Sequence, residues 1–266
     1  PSQQALVEQL KTTGAVADLV LSKDFSRAIL TSLEQKELIE CFQKSNTETS
    51  VSNILKQDAL KLHDSQQSAL DSIEQHIFNC YLLDGVTGSG KTEIYLQAIE
   101  KTLRYDRQAL VLIPEISLTP QTEKRFRDRF NVPIVTLHSG LTDKNRLAAW
   151  TSAKTGEARI ILGTRSAVFT PLCQPGLIIV DEEHDQSYKQ HEGFRYSARD
   201  LAVIRARREN ISIILGSATP SIESLNNCAA DRYQHLVLTD RAGNAVQPTW
   251  SIVDLKNEQC EAGIAA

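Results

Sequence analysis

Not one of the 266 residues is methionine. A chain of this length ordinarily carries several, and this one starts at Pro1. The expectation is a piece of a longer protein whose methionine positions have dropped out, with some spacings short by a residue. The five cysteines, Cys41, Cys80, Cys173, Cys228 and Cys260, include no C-x-x-C pair. That excludes zinc-ribbon and dithiol redox chemistry on these residues and leaves reduced structural thiols. No apolar run approaches the roughly 20 residues that cross a bilayer, and no basic-then-apolar leader is present. A soluble, cytoplasmic protein without membrane contact is expected. A surplus of positive charge is missing too: 29 basic against 33 acidic residues leave a net charge of -4. Any hold on nucleic acid therefore has to come from a local patch.

What is present is ordinary for a globular chain, 41% apolar and 23% charged residues, and long enough to bury a sizeable core. The pattern changes near position 56. Before it, QQALVEQLKTTG reads as a short amphipathic helix ended by Gly14. SRAILTSLEQKELIECFQ then places Ile29, Leu30, Leu33, Leu38 and Ile39 at roughly helical spacing. Helix, turn, helix and a short strand-like end read as a winged helix over 1–55, with KSNTETSVSN (44–53) as the linker. Its second helix offers only Arg27 and Lys36 as cations, so DNA reading and a packing or partner-binding role both stay open. From about residue 80, the runs YLLD, ALVLI, IVTL, RIIL, LIIV and ISIIL recur with helix-length intervals. That is the signature of an α/β fold with a parallel sheet covered on both faces.

Directly after the first run comes GVTGSGKT, residues 85–92, which fits G-x-x-x-x-G-K-[ST] at Gly85, Gly90, Lys91 and Thr92. In such a P-loop the backbone N–H groups, here around Thr87, Gly88, Ser89 and Gly90, turn inward about a phosphate, and the next helix adds its positive end. Lys91 then reaches the β and γ phosphates of ATP, and the Thr92 hydroxyl ligates Mg²⁺. The run LIIV ends in Asp181, Glu182 and Glu183. Carboxylates so close repel one another unless a cation or a reacting group uses them. At the end of a parallel strand Asp181 is suited to hold the Mg²⁺, and Glu182 to orient and deprotonate the attacking water.

IPEISLTPQT (113–122), LHSG (137–140), GTRSAVF (163–169) and GSATP (216–220) all sit just past apolar runs. Together with DEEH they resemble motifs Ia, Ib, II and III of superfamily 2 helicases. The combination of GVTGSGKTE, PEISLTPQT, HSG, GTRSA, DEEHDQSYKQ, GFRYSARDLA and GSATPS resembles the PriA family of bacterial primosomal replication-restart helicases, over nearly all of residues 60–240. The resemblance implies an ATP-dependent DNA helicase moving 3′ to 5′ in fork restart and primosome assembly. Its implied partners are single-stranded and forked DNA, single-strand-binding protein and other primosome proteins. It makes 56–250 the first of two RecA-like lobes and 251–266 the start of a connection to the second. That second lobe, with its arginine finger and cysteine-rich zinc module, lies outside these residues, as does the domain that binds a DNA 3′ end. Zinc is expected only there, and one lobe alone should hold a nucleotide but hardly hydrolyse it.

By the same resemblance Gln66, in LHDSQQSAL, reads adenine, while 114–121, 138–140 and 164–166, including Thr119 and Arg165, touch the DNA backbone. The segment after the DEEH box interleaves Tyr188, Phe194 and Tyr196 with Lys189, Arg195 and Arg199. That make-up suits a surface that stacks bases and couples DNA to the carboxylates. The family often has Trp where Phe194 stands. Two other readings stay open: an ATP-driven double-strand DNA translocase that does not unwind, and a non-catalytic regulatory DNA-binding module.

Overall fold

The six apolar runs all become strands of one sheet. In the computed structural model, which describes residues 54–74 and 77–239 and, beyond them, 6–7, 25, 27–36, 38–39, 260–261 and 264–265, they are β1 (Cys80–Gly85), β2 (Gln108–Leu112), β3 (Ile134–Leu137), β4 (Ile160–Gly163), β5 (Pro175–Val180) and, after a small ribbon of β6 (Lys189–Gln190) and β7 (Tyr196–Ser197), β8 (Ser212–Ser217). A further strand, β9 (Gln234–Leu238), completes the order β3-β4-β2-β5-β8-β1-β9, with every pairing parallel. Two-residue strands β10 (Cys260–Glu261) and β11 (Ile264–Ala265) pair antiparallel on their own.

The described helices are α1 (Arg27–Gln35), α2 (Asp64–Ser72), α3 (Lys91–Arg104), α4 (Pro120–Arg129), α5 (Asp143–Thr155), α6 (Ala198–Glu209) and α7 (Ile222–Ala229). Residues 1–46 form one compact unit and 47–266 another. In the first, α1 contributes Leu33 to a small core with Leu6 and Phe25. The winged-helix expectation for 1–55 and the linker at 44–53 lie for the most part outside the described residues. So does the stretch 251–266, apart from the β10–β11 pair.

Register shows why the strands read as unbroken apolar runs. Tyr81, Ile214, Ile179, Val111 and Leu162 line up across neighbouring strands toward one face. Cys80, Ile213, Ile178, Leu110 and Ile161 line up toward the other. Both faces are buried, so alternate positions must both be apolar. Each Leu, Ile or Val among them contributes about 1.5–3 kcal/mol. Leu70 of α2, Ile94 and Ile99 of α3, and Phe126 of α4 cover the first face. Alanines of α5 and α6 (Ala149, Ala153, Ala198, Ala202, Ala206) cover the second, and their small size brings those helices close to the sheet.

Helix starts follow from capping hydroxyls. Thr119, Thr142, Ser197 and Ser221 each accept a bond from the N–H three residues on, at the start of α4, α5, α6 and α7, worth about 1 kcal/mol apiece. Gly156 and Asn210 end α5 and α6 in the left-handed conformation.

One close approach ties α3 to β8. A Cβ on Gly216 would stand 1.5 Å from the hydroxyl of Tyr95, which is itself buried. We expect Gly216→Ala to cost about 1–3 kcal/mol, as overpacking does, read as a lowered urea midpoint. An unchanged midpoint would mean that the Tyr95 ring moves aside without cost.

Candidate nucleotide-binding site

Because every strand of the large sheet runs the same way, the segments after β1, β2, β3, β4, β5 and β8 all emerge at one edge, where α/β sheets bind ligands. The loop after β1 turns through Gly88 (φ 81°) and Gly90 (φ 85°), conformations that side chains with a Cβ rarely adopt. Gly90 then caps the N-terminus of α3, whose first residues are Lys91 and Thr92. Lys91 is buried, and its Nζ donates to the carbonyl of Gly85 at 2.6 Å, so the ammonium is held across the mouth of the loop.

A cleft of about 660 Å³ opens there. The P-loop residues Thr87 to Thr92 line it on one side and Asp181 and Glu182 on another, with Gln57, Asp58, Leu60, Arg125 and Arg129 completing the wall. Of these, Asp58, Leu60 and Arg129 are fastened to Glu93, which also lines the cleft, around a largely buried ion pair. Arg129 donates to Glu93 Oε1 at 2.8 Å and to the carbonyl of Asp58 at 2.7 Å, and Glu93 also accepts from the N–H of Leu60.

The carboxylates sit in a turn pinned on both sides. The N–H of Asp181 donates to Leu112 O and that of Glu183 to Gly216 O, each at 2.9 Å. The Asp181 carboxylate accepts from Tyr95 Oη at 3.1 Å. Burial first, then the charge of Glu182, raise the Asp181 carboxyl above its ordinary value. Burial, followed by the charge of Asp181, likewise lifts the Tyr95 phenol well above its own and keeps it a donor. Glu182 adopts φ 46°, uncommon for a non-glycine residue and a sign of local constraint. His184 Nδ1 lies 2.7 Å from Ser217 Oγ and 3.7 Å from Glu182 Oε2.

These residues fit a magnesium nucleotide. Among the described residues no group of three or more His, Cys, Asp or Glu is placed to hold a metal alone, and Mg²⁺ needs none. It is usually bound by one or two carboxylates with waters and substrate phosphates, which matches the Asp181 carboxyl and Thr92 hydroxyl lining one cleft with the P-loop. The Ser89 hydroxyl is buried without a hydrogen-bond partner inside that loop.

Several expected site residues lie elsewhere. Gln66 is 5% exposed, donates to Ser89 O at 2.7 Å and accepts from His63 N–H at 2.9 Å. It braces the loop from behind and is not among the residues that line the cleft. Tyr188, at 2% exposure, is not on the surface where bases would stack. A short turn capped by Asp185 folds it under the sheet edge, where its hydroxyl donates to Asp181 O at 2.7 Å and Leu112 O at 3.0 Å. Arg199 is turned inward onto Glu183 at 3.0 Å, so its guanidinium is not a free surface cation. Arg165 donates to the carbonyls of Ser187 and Lys189, tying its segment to the loop after the DEEH box. Thr119 is an exposed helix cap.

Phe194 is 76% exposed and Arg195 is exposed beside it. Phe194 stands 5.9 Å from Tyr196, and Tyr196 stands 5.0 Å edge-on to Phe169. Phe169, half exposed, was not among the expected aromatics, nor were Tyr95, the Glu93–Arg129 pair or the Glu183 contacts. The segment GTRSAVF ends on that ring, which is the local trace of it in the sequence. The others are meetings of residues far apart in sequence.

Residues 63–228 match the DEAD/DEAH box helicase family, a span that takes in both the P-loop and the acidic turn. The chain belongs to that family. Within it, the resemblance to the PriA proteins holds along the chain. This helicase lobe is 49% identical over 254 residues to the replication restart protein PriA of Haemophilus influenzae, covering 92% of this chain and 34% of that protein. It is 40% identical over 248 residues to that of Bacillus subtilis, covering 91% and 31%. The chain thus spans about a third of the length of the curated relatives it matches. Among solved structures it is similar to RecG bound to a three-way DNA junction (TM-score 0.53, 21% identity, 71% of this chain and 25% of that one). It also resembles the Hef helicase domain of Pyrococcus furiosus (TM-score 0.50, 21% identity, 69% and 39%). At these identities the likeness is one of fold. Among the described residues no helix is long and apolar enough to cross a membrane.

The raised Asp181 carboxyl has a consequence for stability. A carboxyl whose folded value lies above its unfolded one favours folding fully below the unfolded value and loses that contribution as pH rises through the folded one. In metal-free protein at neutral pH, Asp181→Asn should therefore melt above wild type. The advantage should shrink as pH falls toward the ordinary aspartate value of 3.8. Melting curves with a chelator, taken across that range, check both the sign and the trend.

Proposed function

We propose that the chain is an ATP-binding motor lobe of a DNA helicase that travels 3′ to 5′ and acts in replication-fork restart and primosome assembly. The observation that carries this reading is that Lys91 and Thr92 line the same cleft as Asp181 and Glu182. The names of its relatives support the biological setting. The partners are single-stranded and forked DNA, together with single-strand-binding protein and other primosome proteins, in the cytoplasm.

The chemistry follows from the residues in place. The N–H groups of the P-loop and the positive end of α3 hold the phosphates. Lys91, now on the Gly85 carbonyl, exchanges that neutral acceptor for the charged β and γ oxygens. Asp181 and Thr92 would hold Mg²⁺, which when bound neutralises charge building on the phosphates. Tyr95 steadies the Asp181 carboxylate for that task. Glu182 takes a proton from the attacking water as its oxygen bonds to the γ phosphorus and the bond from that phosphorus to the β–γ bridging oxygen breaks, ADP leaving with the electron pair. On the outer side, Phe194, Tyr196 and Phe169 offer a stepped aromatic surface with Arg195 beside it, suited to sequence-blind stacking.

In the intact protein, Lys91→Ala should abolish ATP turnover with the fold kept, and Glu182→Gln should retain nucleotide binding while blocking hydrolysis. Wild-type turnover in the first would refute the P-loop assignment, and lost binding in the second would make Glu182 structural. A regulatory module with a degenerate loop would show no turnover to lose. Strand displacement on forked DNA separates a helicase from a translocase that does not unwind.

Phe194→Ala should weaken single-stranded DNA binding about tenfold, a stack being worth roughly 1–3 kcal/mol. Unchanged binding, unwinding and DNA-stimulated ATPase would make the ring a bystander.

A further inference from the structure

Of the three adjacent carboxylates, Glu183 is the one that does not line the cleft. Its side chain is 0% exposed. The N–H of Ser221 donates to its Oε1 at 2.7 Å. Its Oε2 accepts from Ser221 Oγ at 3.0 Å, Ser224 Oγ at 2.9 Å and Arg199 Nη1 at 3.0 Å. A carboxylate so far from water persists only when its charge and lone pairs are met. Here the donors come from two elements other than its own turn. Arg199 is in the first turn of α6, directly after β7 and the exposed aromatic loop, while Ser221 caps α7 just after the turn that follows β8. Arg199 Nη1 also donates to Ser221 Oγ at 2.8 Å, which closes the network between the two helices.

On the other side of Glu183 the chain leads at once to Glu182, held in the left-handed conformation. A residue keeps such a conformation only where its surroundings impose it. The N–H of Glu183 is bonded to Gly216 O and its carboxylate to α6 and α7, so the aim of Glu182 depends on where those elements stand. An acidic residue that merely added charge at the strand end would have been left in solvent.

We propose that Glu183 is a positioning residue for ATP hydrolysis: by binding Arg199 and the Ser221–Ser224 turn, it links the foot of the aromatic loop to the backbone that aims Glu182. The role given to Glu182 rests on the nucleotide-site reading above, whereas the network stands on its own contacts. DNA stacked on the aromatic loop would then act on hydrolysis through α6 and Glu183.

The test uses the intact protein. Glu183→Gln keeps the shape and the acceptor for Ser221 N–H but removes the charge that meets Arg199. Its KM for ATP should stay within about twofold of wild type, while kcat at saturating single-stranded DNA falls about tenfold. The DNA concentration giving half-maximal stimulation should not change. Arg199→Ala should show the same split, and Arg199→Lys, which keeps a cation, should recover much of the lost kcat. Wild-type kcat in Glu183→Gln would overturn the proposal. So would a raised DNA requirement in Arg199→Ala with Glu183→Gln unaffected, since Arg199 would then be a DNA contact. Should Glu183→Gln fail to fold, Ser224→Ala probes the link from the α7 side, and wild-type kcat there would overturn it equally. Lys91→Ala is assayed in parallel: turnover surviving in that variant would mean that the cleft had been misread, a failure distinct from that of the Glu183 link.

Discussion

Three negative side chains in succession at the end of a buried strand repel one another, and the lobe meets this by giving each a different neighbour. Asp181 accepts from a tyrosine hydroxyl, Glu182 is swung aside by a left-handed backbone and lies near an imidazole, and Glu183 is drawn into a buried network with a guanidinium. Asp181 and Glu182 both line the cleft, Glu182 on the side of His184, while Glu183 points away to the roots of α6 and α7. Much of the surrounding arrangement depends on that division. Tyr95 reaches Asp181 because α3 starts at the P-loop and crosses toward β8. Arg199 reaches Glu183 because the aromatic loop returns its chain to the sheet through β7.

The sheet was readable in advance wherever a strand is covered on both faces. Val111, Ile179 and Ile214 had to be apolar for one layer and Leu110, Ile178 and Ile213 for the other, so β2, β5 and β8 stand out as unbroken runs. β9 escaped notice for the same reason. It lies at the sheet edge with Gln234, His235 and Val237 exposed, and half-wet strands carry a weaker pattern.

At the site, what was legible is local. The P-loop motif is made of glycines and a lysine within eight consecutive positions, and Asp181, the proposed metal ligand, follows its strand directly. What was not legible depends on folding back. Tyr188 reads like Phe194 in a list of aromatics, but the Asp185 side chain accepts from Ser187 N–H at 2.7 Å and starts the turn that sends Tyr188 inward. Gln66 and Gln67 are neighbours on one helix, and only packing decides that the first is buried against Ser89 O while the second bonds to Asp71 in solvent. Arg199 reads like the other cations of the aromatic segment because its carboxylate partner, Glu183, lies sixteen residues earlier, before the whole loop.

The contact between Tyr95 and Gly216 also bears on how such a lobe can change over generations. The phenol of one position occupies the space that any side chain at the other would need. Neither residue is free to drift by itself: a larger residue at 216 requires a shorter one at 95, and that shorter residue would withdraw the hydroxyl from Asp181. Two distant stretches of the gene, one encoding the helix after the P-loop and the other the end of β8, are therefore held to a joint choice, with Asp181 as the arbiter.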